Sequence, residues 1–478
     1  MKITNQNLFI EGNFIDGKII DTQSYLDVYN PSSGAVIGKA ANSDEKETKI
    51  AILAAKNAFE KWSKLTGKER ANFLNKWYEL ILQNQKDLAI ILTSEQGKPY
   101  SEALGEIIYG ANFVQWFAQE ALRVRGDVIL APKNNEKILT LIEPIGVAAA
   151  ITPWNFPSAM ITRKAAAAMA AGCSVVLKPS ELTPYSALAL AYLAKEAGIP
   201  DGVFNVVVGD AQKIGAEFCE NKTVRKISFT GSTRVGKLLY QQSSQDLKRL
   251  SLELGGSAPF IVFEDANLEK AIAGLIHGKF RNGGQACTCV NRIFVHEKIY
   301  DKFLEKFLVE VKKIKVGDGF EDASIMGPMI NENAVNKVER LINDAVKKGA
   351  KCEIGGKKIK DLFFQPTVLS LVNSDMAIAN EEIFGGVAAV QKFSSEEEVI
   401  ARANNTEYGL GSYIYTQDNA RIWRVCDALQ FGMIGINEPS FATEVAPFGG
   451  IKHSGMGREG SHLGILEFTN LKTLYWSY

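Results

Sequence analysis

The sequence predicts an α/β protein built around a doubly wound parallel sheet of the Rossmann-like kind. Its 478 residues are too many for one ordinary hydrophobic core and suggest two or three domains. From Ile145 onward, short apolar runs alternate with amphipathic segments, which is the pattern of parallel strand–helix–strand units. The pattern starts again after the stretch LELGG, residues 252–256, so we expect a second α/β domain beyond a boundary near residue 255.

The predicted elements follow one another in a regular order. Between Ile50 and Ala121 the spacing of Ile, Leu, Phe and Trp is helical. Two strands joined by a polar turn are expected within 125–132 and 137–146. In the alternating region we expect strands in GVAAAIT, SVVLKP, VFNVVVG and KISFTGS. Helices are expected in AMITRKAAAAMAAG, in YSALALAYLAKEAG, between VFNVVVG and KISFTGS, and after KISFTGS. After the boundary we expect a strand in APFIVF, a helix from Leu268 to Arg281, a strand in RIFVH and a lysine-rich helix near 300–313.

Composition and charge argue against several classes of partner. The chain has 54 basic and 54 acidic side chains, which favours neither nucleic acid nor an anionic membrane as a partner. Its longest small and apolar stretch, Ala165 to Leu177, is shorter than the roughly 20 residues that span a bilayer. Residues 1–17 lack the pattern of a signal peptide. We therefore expect a cytoplasmic protein whose six cysteines stay reduced.

One loop carries a candidate nucleophile. The stretch NGGQACTCVNR, residues 282–292, places Cys287 between a predicted helix and a predicted strand. Gly283 and Gly284 are expected to let the backbone of this loop come close to a ligand. A thiol at this position is either a nucleophile or a small buried hydrophobic side chain, and the second is the commoner fate of a cytoplasmic cysteine.

Histidine positions bear on two other kinds of site. The four histidines form no pair with metal-ligand spacing, so we expect no metal site. A cysteine hydrolase would need a histidine base, and only His277 and His296 flank the cysteine loop. A hydrolase therefore stays open as an alternative, although it leaves other features of the chain unused.

Two strand ends are candidates for binding a nucleotide. In KISFTGSTRVG, a strand runs into Gly231 and a helix begins before Gly236, so backbone amides at the helix N-terminus could face a pyrophosphate. In VVLKPSELTP, Lys178 and Glu181 follow a strand, and a carboxylate there would accept hydrogen bonds from a ribose and repel a 2′-phosphate. This would favour NAD over NADP. As alternatives, the glycines mark an ordinary turn and the two charges are simply exposed.

Two further residues fit roles in acyl chemistry. Asn155 in ITPWNFP could donate its amide N–H to a developing oxyanion, or could cap the following helix. Glu253 in LELGG lies between two leucines, and partial burial would raise its pKa into the range of a general base. A structural salt bridge is the alternative for this carboxylate.

A thiol, an oxyanion donor, a carboxylate base and a nucleotide cradle are together sufficient to oxidise an aldehyde through a thioester. Seven stretches in order resemble the NAD(P)-dependent aldehyde dehydrogenase superfamily over essentially the whole chain: TPWNFP, GCSVVLKPSE, FTGSTRVG, LELGG, GQAC, EEIFGG and PFGGIKHSGMGREG. The sequence looks most like the succinate-semialdehyde dehydrogenase group, through ITRKAAAAMAAGCSVVLKPSE, SLELGGSAPFIVFEDANLEKA, KFRNGGQACTCVNR and EVAPFGGIK. A non-enzymatic relative would be expected to lack the thiol or the base.

The resemblance implies a reaction and the residues that perform it. Cys287 would attack succinic semialdehyde and pass through a thiohemiacetal and a thioester, Asn155 would hold the oxyanion, and Glu253 would activate water. Glutaric semialdehyde or another short aldehyde is the alternative substrate. The cofactor would be NAD, with NADP possible, bound by residues 152–154 and five further segments: Thr152, Pro153, Trp154, Lys178, Ser180, Glu181, Gly231, Ser232, Gly236, Leu254, Glu382 and Phe384.

The far carboxylate of a semialdehyde acid calls for a cation. Arg163, on the helix after Asn155, and Arg281, six residues before Cys287, are the candidates, with a structural ion pair as the alternative for each. The similar enzymes carry a serine in the segment where this chain has Ala442 and Thr443, so Thr443 is the third candidate for substrate binding.

The second thiol of the loop, Cys289, lies two residues beyond Cys287. In an extended segment, residues i and i+2 are separated by about 6.6 Å, which is near the upper limit for a disulfide. A loop brings the two residues closer together. We expect Cys289 either to pack in the interior or to form a reversible disulfide with Cys287.

The resemblance also implies a domain division and an assembly. Residues 1–122 and 142–254 would form the cofactor domain, to which 441–456 return, and residues 255–440 the catalytic domain. Residues 123–141 and 457–478 would form a small β oligomerisation arm, whose exposed apolar side chains favour burial against another subunit. A homodimer or homotetramer is expected.

Overall fold

The computed structural model describes residues 2–322, 324–441 and 443–478. Ala442, which the sequence places in the substrate segment, lies outside the described residues. Short 3₁₀ turns occur at Gln6–Leu8, Ser244–Asp246, Arg281–Gly284, Glu297–Ile299 and Lys452–Ser454. Within the described part of the chain, no helix is both long enough and apolar enough to cross a membrane.

The first 144 residues form a helical layer flanked by short strands. The strands are β1 (Asn13–Ile15), β2 (Lys18–Ile20), β3 (Tyr25–Tyr29), β4 (Val36–Ala41), β5 (Val128–Ile129) and β6 (Glu136–Pro144). The helices are α1 (Glu45–Trp62), α2 (Gly67–Gln83), α3 (Gln85–Gln96) and α4 (Tyr100–Glu120). Capping boxes start α1, between Asp44 and Glu47, and α2, between Thr66 and Glu69. The helical spacing between Ile50 and Ala121 is confirmed.

The next segment contains the predicted alternation. Its strands are β7 (Val147–Ile151), β8 (Ser174–Lys178), β9 (Phe204–Val206), β10 (Val224–Thr230) and β11 (Arg249–Glu253). Its helices are α5 (Ala159–Ala171), α6 (Tyr185–Glu196), α7 (Ala211–Glu220) and α8 (Thr233–Ser243). The five strands are parallel and lie in the order β9-β8-β7-β10-β11. The chain moves from β7 outward to β9 and then crosses to β10, so a topological switch point lies between β7 and β10.

A second sheet begins immediately afterwards. Its part of the chain has the strands β12 (Ala258–Val262), β13 (Val290–His296), β14 (Lys351–Ile354), β15 (Lys358–Lys360), β16 (Phe363–Phe364), β17 (Thr367–Ser370), β18 (Val387–Phe393), β19 (Gly411–Tyr415) and β20 (Met433–Ile436). The helices are α9 (Leu268–Phe280), α10 (Tyr300–Val311), α11 (Glu332–Lys347), α12 (Ala377–Asn380), α13 (Glu396–Asn404) and α14 (Asn419–Ala428). Seven strands lie in the order β14-β17-β18-β13-β12-β19-β20. All neighbours in this sheet are parallel except β14 and β17.

The C-terminal segment returns to the first half of the molecule. It consists of β21 (Gly455–Met456), α15 (Ser461–Leu466) and β22 (Thr469–Ser477). Strand β21 pairs antiparallel with β11, and β1 and β2 add to the opposite edge of the same sheet. Strand β22 pairs with β6 along nine residues and, with β5, forms a separate three-stranded sheet.

Strand connectivity supports the domain division that the sequence suggests. Strand β11 ends at Glu253 in the first sheet, and β12 begins at Ala258 in the second, on either side of residue 255. We therefore propose a cofactor domain, a catalytic domain and a β arm with the boundaries given above. Because the change of sheet occurs within four residues, side chains after β11 and before β13 are brought to the boundary between the two sheets.

Candidate active site

A cavity of about 300 Å³ is lined by residues from both large sheets. Asn155, Glu253 and Cys287 all contribute to its wall, although they lie on three different segments. Asn155 follows β7, Glu253 is the last residue of β11, and Cys287 lies in the loop before β13. The fold therefore brings together the three residues for which the sequence predicts catalytic roles.

Glycines shape the loop that carries Cys287. A Cβ atom on Gly256 would lie 2.5 Å from the carbonyl oxygen of Cys287, so only glycine permits this approach. Gly284 has φ +76°, and its added Cβ would lie 2.3 Å from the carbonyl oxygen of Gly385. The small size of Gly284 therefore lets the loop pack on a neighbouring backbone. The close approach to a ligand expected for the glycine pair stays a prediction.

The environment of Cys287 favours the neutral thiol. Burial, helped by the carboxylates of Glu253 and Glu382, raises the pKa of this thiol to about 12, and Arg163 and Arg281 oppose the shift. An added positive charge at the thiol would therefore be needed for a thiolate to form near neutral pH.

The carboxylate of Glu253 is buried and has no hydrogen-bond partner on either oxygen among the described residues. Burial raises its pKa well above the usual range, and the negative charge of Glu459 raises it further. A buried carboxylate without partners is costly, and such groups concentrate where a base has to take up a proton. This geometry does not fit the salt-bridge alternative for Glu253.

Behind Glu253 lies an ionic cluster that the sequence reasoning missed. Lys164 donates to Glu459 and to Thr230 Oγ1, the latter at 2.6 Å, and all three side chains are buried. Burial opposes ionisation of Glu459, but Lys164 and Arg163 hold its pKa below the usual value. The sequence does contain a feature that could have predicted this cluster, because Arg163 and Lys164 are the two charged residues of an alanine-rich helix.

Asn155 is anchored by both its main chain and its side chain. Its side-chain amide donates to the carbonyl of Gln285 at 3.0 Å, two residues before Cys287. Its own carbonyl accepts from Lys98 Nζ at 2.7 Å and from Asn282 Nδ2 at 3.0 Å. One of the two amide hydrogens of Asn155 is therefore used within the protein, and the other is available to a ligand.

The two candidate arginines both line the cavity but differ in their surroundings. Arg163 is buried between the rings of Phe113 and Phe448, and its Nε lies 2.8 Å from Glu459. Its Nη2 atom has no hydrogen-bond partner among the described residues. Arg281 contacts the ring of Phe156 at 5.2 Å and forms no ion pair within 4.0 Å in the described part of the chain.

The third substrate candidate has a different position. Thr443 is not among the residues that line the cavity, and its Oγ1 accepts from the backbone N–H of Val445 at 3.4 Å. Ser440 and Phe441, from the same segment, do line the cavity. The substrate contact expected for Thr443 has no support from the cavity lining and stays a prediction.

Part of the predicted cofactor set also lies on the cavity wall. These residues are Pro153, Trp154, Gly231, Ser232, Leu254, Glu382 and Phe384. The Glu382 carboxylate accepts from the backbone N–H of Gly256 at 2.9 Å, and burial raises its pKa. The rings of Trp154 and Phe384 meet edge to face at 5.6 Å. The remaining predicted residues, Thr152, Lys178, Ser180, Glu181 and Gly236, do not line the cavity.

Those remaining residues lie at neighbouring strand and helix ends. Thr152 follows β7 and donates its N–H to the carbonyl of Lys178, the last residue of β8. Lys178 pairs with Glu181 at 2.8 Å. A Cβ atom on Gly236, in the first turn of α8, would lie 2.5 Å from Leu254.

The residues present fit a dinucleotide. The carboxyl ends of β7 and β10 form the crevice at a topological switch point, where α/β sheets bind such ligands. Ser232 caps α8, and the first turn of this helix carries no acidic residue that would repel a phosphate. Thr152 Oγ1 is buried without a hydrogen-bond partner in the described residues, so it is available to a ligand hydroxyl or phosphate.

Histidine does not provide a base for a cysteine hydrolase in this arrangement. His296 ends β13, lies 3.7 Å from Glu264 and is not part of the cavity wall. His277 does line the cavity, but no hydrogen bond links it to Cys287 among the described residues. The described residues also contain no group of three or more His, Cys, Asp or Glu side chains that could hold a metal ion.

The chain is similar to known proteins over nearly its whole length. The family model described as "Aldehyde dehydrogenase family" matches residues 19–474. The glutarate-semialdehyde dehydrogenase of Pseudomonas putida KT2440 is 51% identical over 476 residues, which are 99% of each chain. The NADP(+) succinate-semialdehyde dehydrogenase of Escherichia coli K12 is 49% identical over 476 residues, again 99% of each chain.

A solved structure shows the same fold. The crystal structure of succinate-semialdehyde dehydrogenase from Burkholderia pseudomallei superposes with a TM-score of 0.99 at 50% identity, and all of both chains is covered. The predicted fold class and the predicted enzyme class are therefore confirmed. The chain belongs to the aldehyde dehydrogenase family.

Proposed function

We propose that this enzyme oxidises succinic semialdehyde to succinate with NAD(P) as the electron acceptor. The observation that carries the proposal is one cavity lined by the Cys287 thiol, the Asn155 amide, the Glu253 carboxylate and the Arg281 guanidinium. Among the described residues, Glu253 has no hydrogen-bond partner and Arg281 has no ion pair. These groups are a nucleophile, an oxyanion donor, a base and a cation for a carboxylate.

The first half-reaction builds an acyl group on sulfur. Cys287 gives up its proton to solvent as its sulfur bonds to the aldehyde carbon, and the carbonyl electron pair moves to oxygen, where the Asn155 amide stabilises the negative charge. A bound nicotinamide would supply a hydride acceptor and a positive charge. When the oxyanion collapses, the C=O bond forms again, the aldehyde hydrogen leaves as hydride, and a thioester remains on Cys287.

The second half-reaction frees the thiol. Glu253 takes a proton from a water molecule whose oxygen bonds to the thioester carbon, and the Asn155 amide holds the second oxyanion. Collapse breaks the C–S bond, and the sulfur leaves as thiolate. The net change is aldehyde plus water to carboxylic acid, with two electrons transferred as hydride.

A trapping experiment tests this function. We expect purified enzyme with succinic semialdehyde and NAD to form reduced cofactor at 340 nm, and quenched samples to carry a succinyl adduct on the peptide containing Cys287. Cys287→Ser should lose turnover and the adduct while still binding NAD, and Cys426→Ser, a change in a thiol on α14, is the matched control. Absence of the adduct during turnover would exclude the thioester route.

The same assay compares the two cofactors. Because Glu181 follows β8 where a ribose is expected, its negative charge favours NAD, so kcat/KM should be larger with NAD than with NADP. Lys178 lies 2.8 Å from Glu181 and works in the opposite direction by attracting a phosphate.

We assign the substrate carboxylate to Arg281, because Arg163 already pairs with Glu459. Arg281→Ala removes a charge-assisted hydrogen bond worth about 1.5–3 kcal/mol, so kcat/KM for succinic semialdehyde should fall by roughly 10- to 150-fold. Butanal has the same number of carbons and no carboxylate, so its kcat/KM should change little.

Arg424→Ala, a change in an exposed arginine on α14 that pairs with Glu396, is the matched control. An equal loss of kcat/KM with both aldehydes would show that Arg281 does not bind the substrate carboxylate. Glutaric semialdehyde is the second candidate substrate, because the Pseudomonas putida relative is named for it. The two are separated by comparing kcat/KM for both semialdehydes in the unmodified enzyme.

We also propose that the enzyme is a homodimer or homotetramer. The β arm exposes Leu130 at 98%, Tyr475 at 79% and Leu471 at 65% of their surfaces. Apolar side chains this exposed on one small sheet are typical of a surface that another subunit covers.

A further inference from the structure

A buried cluster of polar side chains connects the nucleophile loop to the oxyanion residue. We call it the amide cluster, and it consists of Gln96, Lys98, Asn155, Asn282 and Gln285, all of which are buried. Its members come from the end of α3 and the residues just after it, the segment between β7 and α5, and the loop before β13. Since Cys287 follows two residues after Gln285, the cluster joins the two groups that must meet at one aldehyde carbon.

Asn282 lies at the centre of the amide cluster. Its Nδ2 donates to the carbonyl of Asn155 at 3.0 Å and to the carbonyl of Gln285 at 3.3 Å. Its Oδ1 accepts from Gln96 Nε2 at 3.0 Å. Both ends of this amide are therefore engaged, and Gln96 determines which end faces the two carbonyls.

The backbone of Asn282 is held as firmly as its side chain. Its φ is +50°, a left-handed conformation that asparagine tolerates better than most residues. Its N–H donates to Glu102 Oε2 at 2.9 Å, and its carbonyl accepts from Gln285 Nε2 at 3.1 Å. The side chain of Asn282 therefore has little freedom to move away from Asn155.

The orientation of the Asn155 side-chain amide depends on these contacts. Its carbonyl is held by Asn282 and by Lys98 Nζ, whose ammonium group is paired with Glu106 at 2.6 Å. Its side-chain amide shares the Gln285 carbonyl with Asn282. With one amide hydrogen fixed on Gln285, the direction of the second is fixed as well, because the amide is planar. An oxyanion donor stabilises the developing charge effectively only if it already points toward the oxyanion position before the reaction.

We propose that Asn282 is a positioning residue for the oxyanion site, which acts through Asn155 and does not contact the aldehyde. Asn282 holds the Asn155 backbone and the Gln285 carbonyl at once, so it sets the position of the amide relative to the thiol. This inference rests on the proposed function, because it assumes that Asn155 stabilises an oxyanion formed at Cys287.

The test variant is Asn282→Gly, which removes the side chain and still permits a positive φ. Loss of one oxyanion donor costs about 10²–10³-fold in kcat, so misdirecting it should lower the rate of NADH formation in a single turnover by roughly tenfold or more. KM for the aldehyde and NAD binding should change little. Asn437→Gly is the matched control, since Asn437 has φ +52° and its amide bonds to Thr416, outside the amide cluster.

Two further measurements separate positioning from a general structural role. Alkylation of Cys287 by iodoacetamide needs no oxyanion donor, so its rate should be the same in Asn282→Gly and in the unmodified enzyme. If Asn282 acts through Asn155, the double variant Asn155→Ala/Asn282→Gly should be no slower than Asn155→Ala alone. Multiplicative losses in the double variant, or a parallel fall in alkylation, would overturn the proposal.

A second variant covers the case in which Asn282→Gly does not fold. Gln96→Met leaves Asn282 in place and removes the contact that orients its amide, so a smaller fall in the same single-turnover rate is expected. Unchanged single-turnover rates in the folded variants would overturn the role of Asn282. An unmodified enzyme that produces no NADH from any aldehyde would instead contradict the proposed function.

Discussion

At the residue scale, the site pairs a neutral thiol with a carboxylate of unusually high basicity. Burial raises the pKa of both groups, the carboxylate of Glu253 raises that of the Cys287 thiol further, and the charge of Glu459 does the same for Glu253. A thiolate at Cys287 beside an ionised Glu253 is therefore unfavourable. Ionisation of the thiol is expected when a cationic cofactor ring and a polar substrate enter.

Glu253→Gln should slow deacylation and leave acylation largely intact. General bases contribute about 10²–10⁴-fold, so steady-state turnover should fall by roughly that factor, while a rapid burst of about one NADH per active site remains. Stopped-flow absorbance at 340 nm measures both phases. Glu269→Gln, in an exposed residue of α9, is the matched control.

The pH dependence of this step follows from the direction of the Glu253 shift. The carboxylate must be ionised to accept a proton, and burial with Glu459 raises its pKa. Deacylation should therefore be slow below the raised pKa, increase as the pH rises through it, and level off above it. In Glu253→Gln the rate of deacylation should lose this dependence. Normal steady-state turnover in the variant would exclude Glu253 as the base.

At the element scale, the loop between α9 and β13 carries both the nucleophile and a possible control over it. Cys287 and Cys289 line the same cavity, and both are free thiols in this structure. The Cys289 sulfur lies 3.6 Å from the carbonyl of Lys279 and 3.5 Å from that of Val290, at the junction of the loop with its flanking elements.

Peroxide should inactivate the enzyme reversibly if Cys289 is the redox partner of Cys287. Two thiols and one hydrogen peroxide give a disulfide and two waters, and dithiothreitol should restore activity. In Cys289→Ala, peroxide should drive Cys287 to higher oxidation states that the reductant does not reverse. Activity before and after reduction, with peptide mass spectrometry, measures this. Equal recovery in both proteins would contradict a role for Cys289.

At the scale of the whole molecule, the β arm carries several large apolar side chains that are exposed in a single chain. Strand β22 pairs with β6 on one side, and the side chains from Asn470 to Ser477 are all exposed. An exposed apolar sheet of this kind favours association with a second copy. Its position outside both large sheets lets it take part in assembly without altering the cavity.

Leu471→Asp combined with Tyr475→Asp should dissociate the proposed oligomer, because charged groups at both positions oppose burial of one face of β22. Light scattering after size-exclusion chromatography should then give a mass nearer to one chain of 52.4 kDa. Trp423→Asp, which changes a side chain that is 78% exposed on α14, is the control and should leave the mass unchanged. An unchanged mass for the arm variant would remove the arm from the interface.

Much of the architecture could be predicted from local pattern. The alternation of apolar runs and amphipathic segments indicated the parallel strands, because side-chain periodicity differs between strand and helix. The restart after LELGG marked the change of sheet between Glu253 and Ala258. Residues at the carboxyl ends of parallel strands share one edge of a sheet, so motifs at those ends placed Asn155 and Glu253 near each other.

What the sequence determined by itself was therefore the fold class and the family, and it supplied the thiol, amide and carboxylate as candidates for the site. Only the tertiary structure decided which partners those groups have. The pairing of Lys164 with Glu459 joins residues 295 positions apart, and the contact of Gln96 with Asn282 spans 186. Such contacts arise from how the helices pack and leave no periodic signal in the chain. For the same reason, only the structure could show that Arg163 pairs with Glu459, that Arg281 has no ion pair within the part of the chain that the structure describes, and that Thr443 lies off the cavity wall.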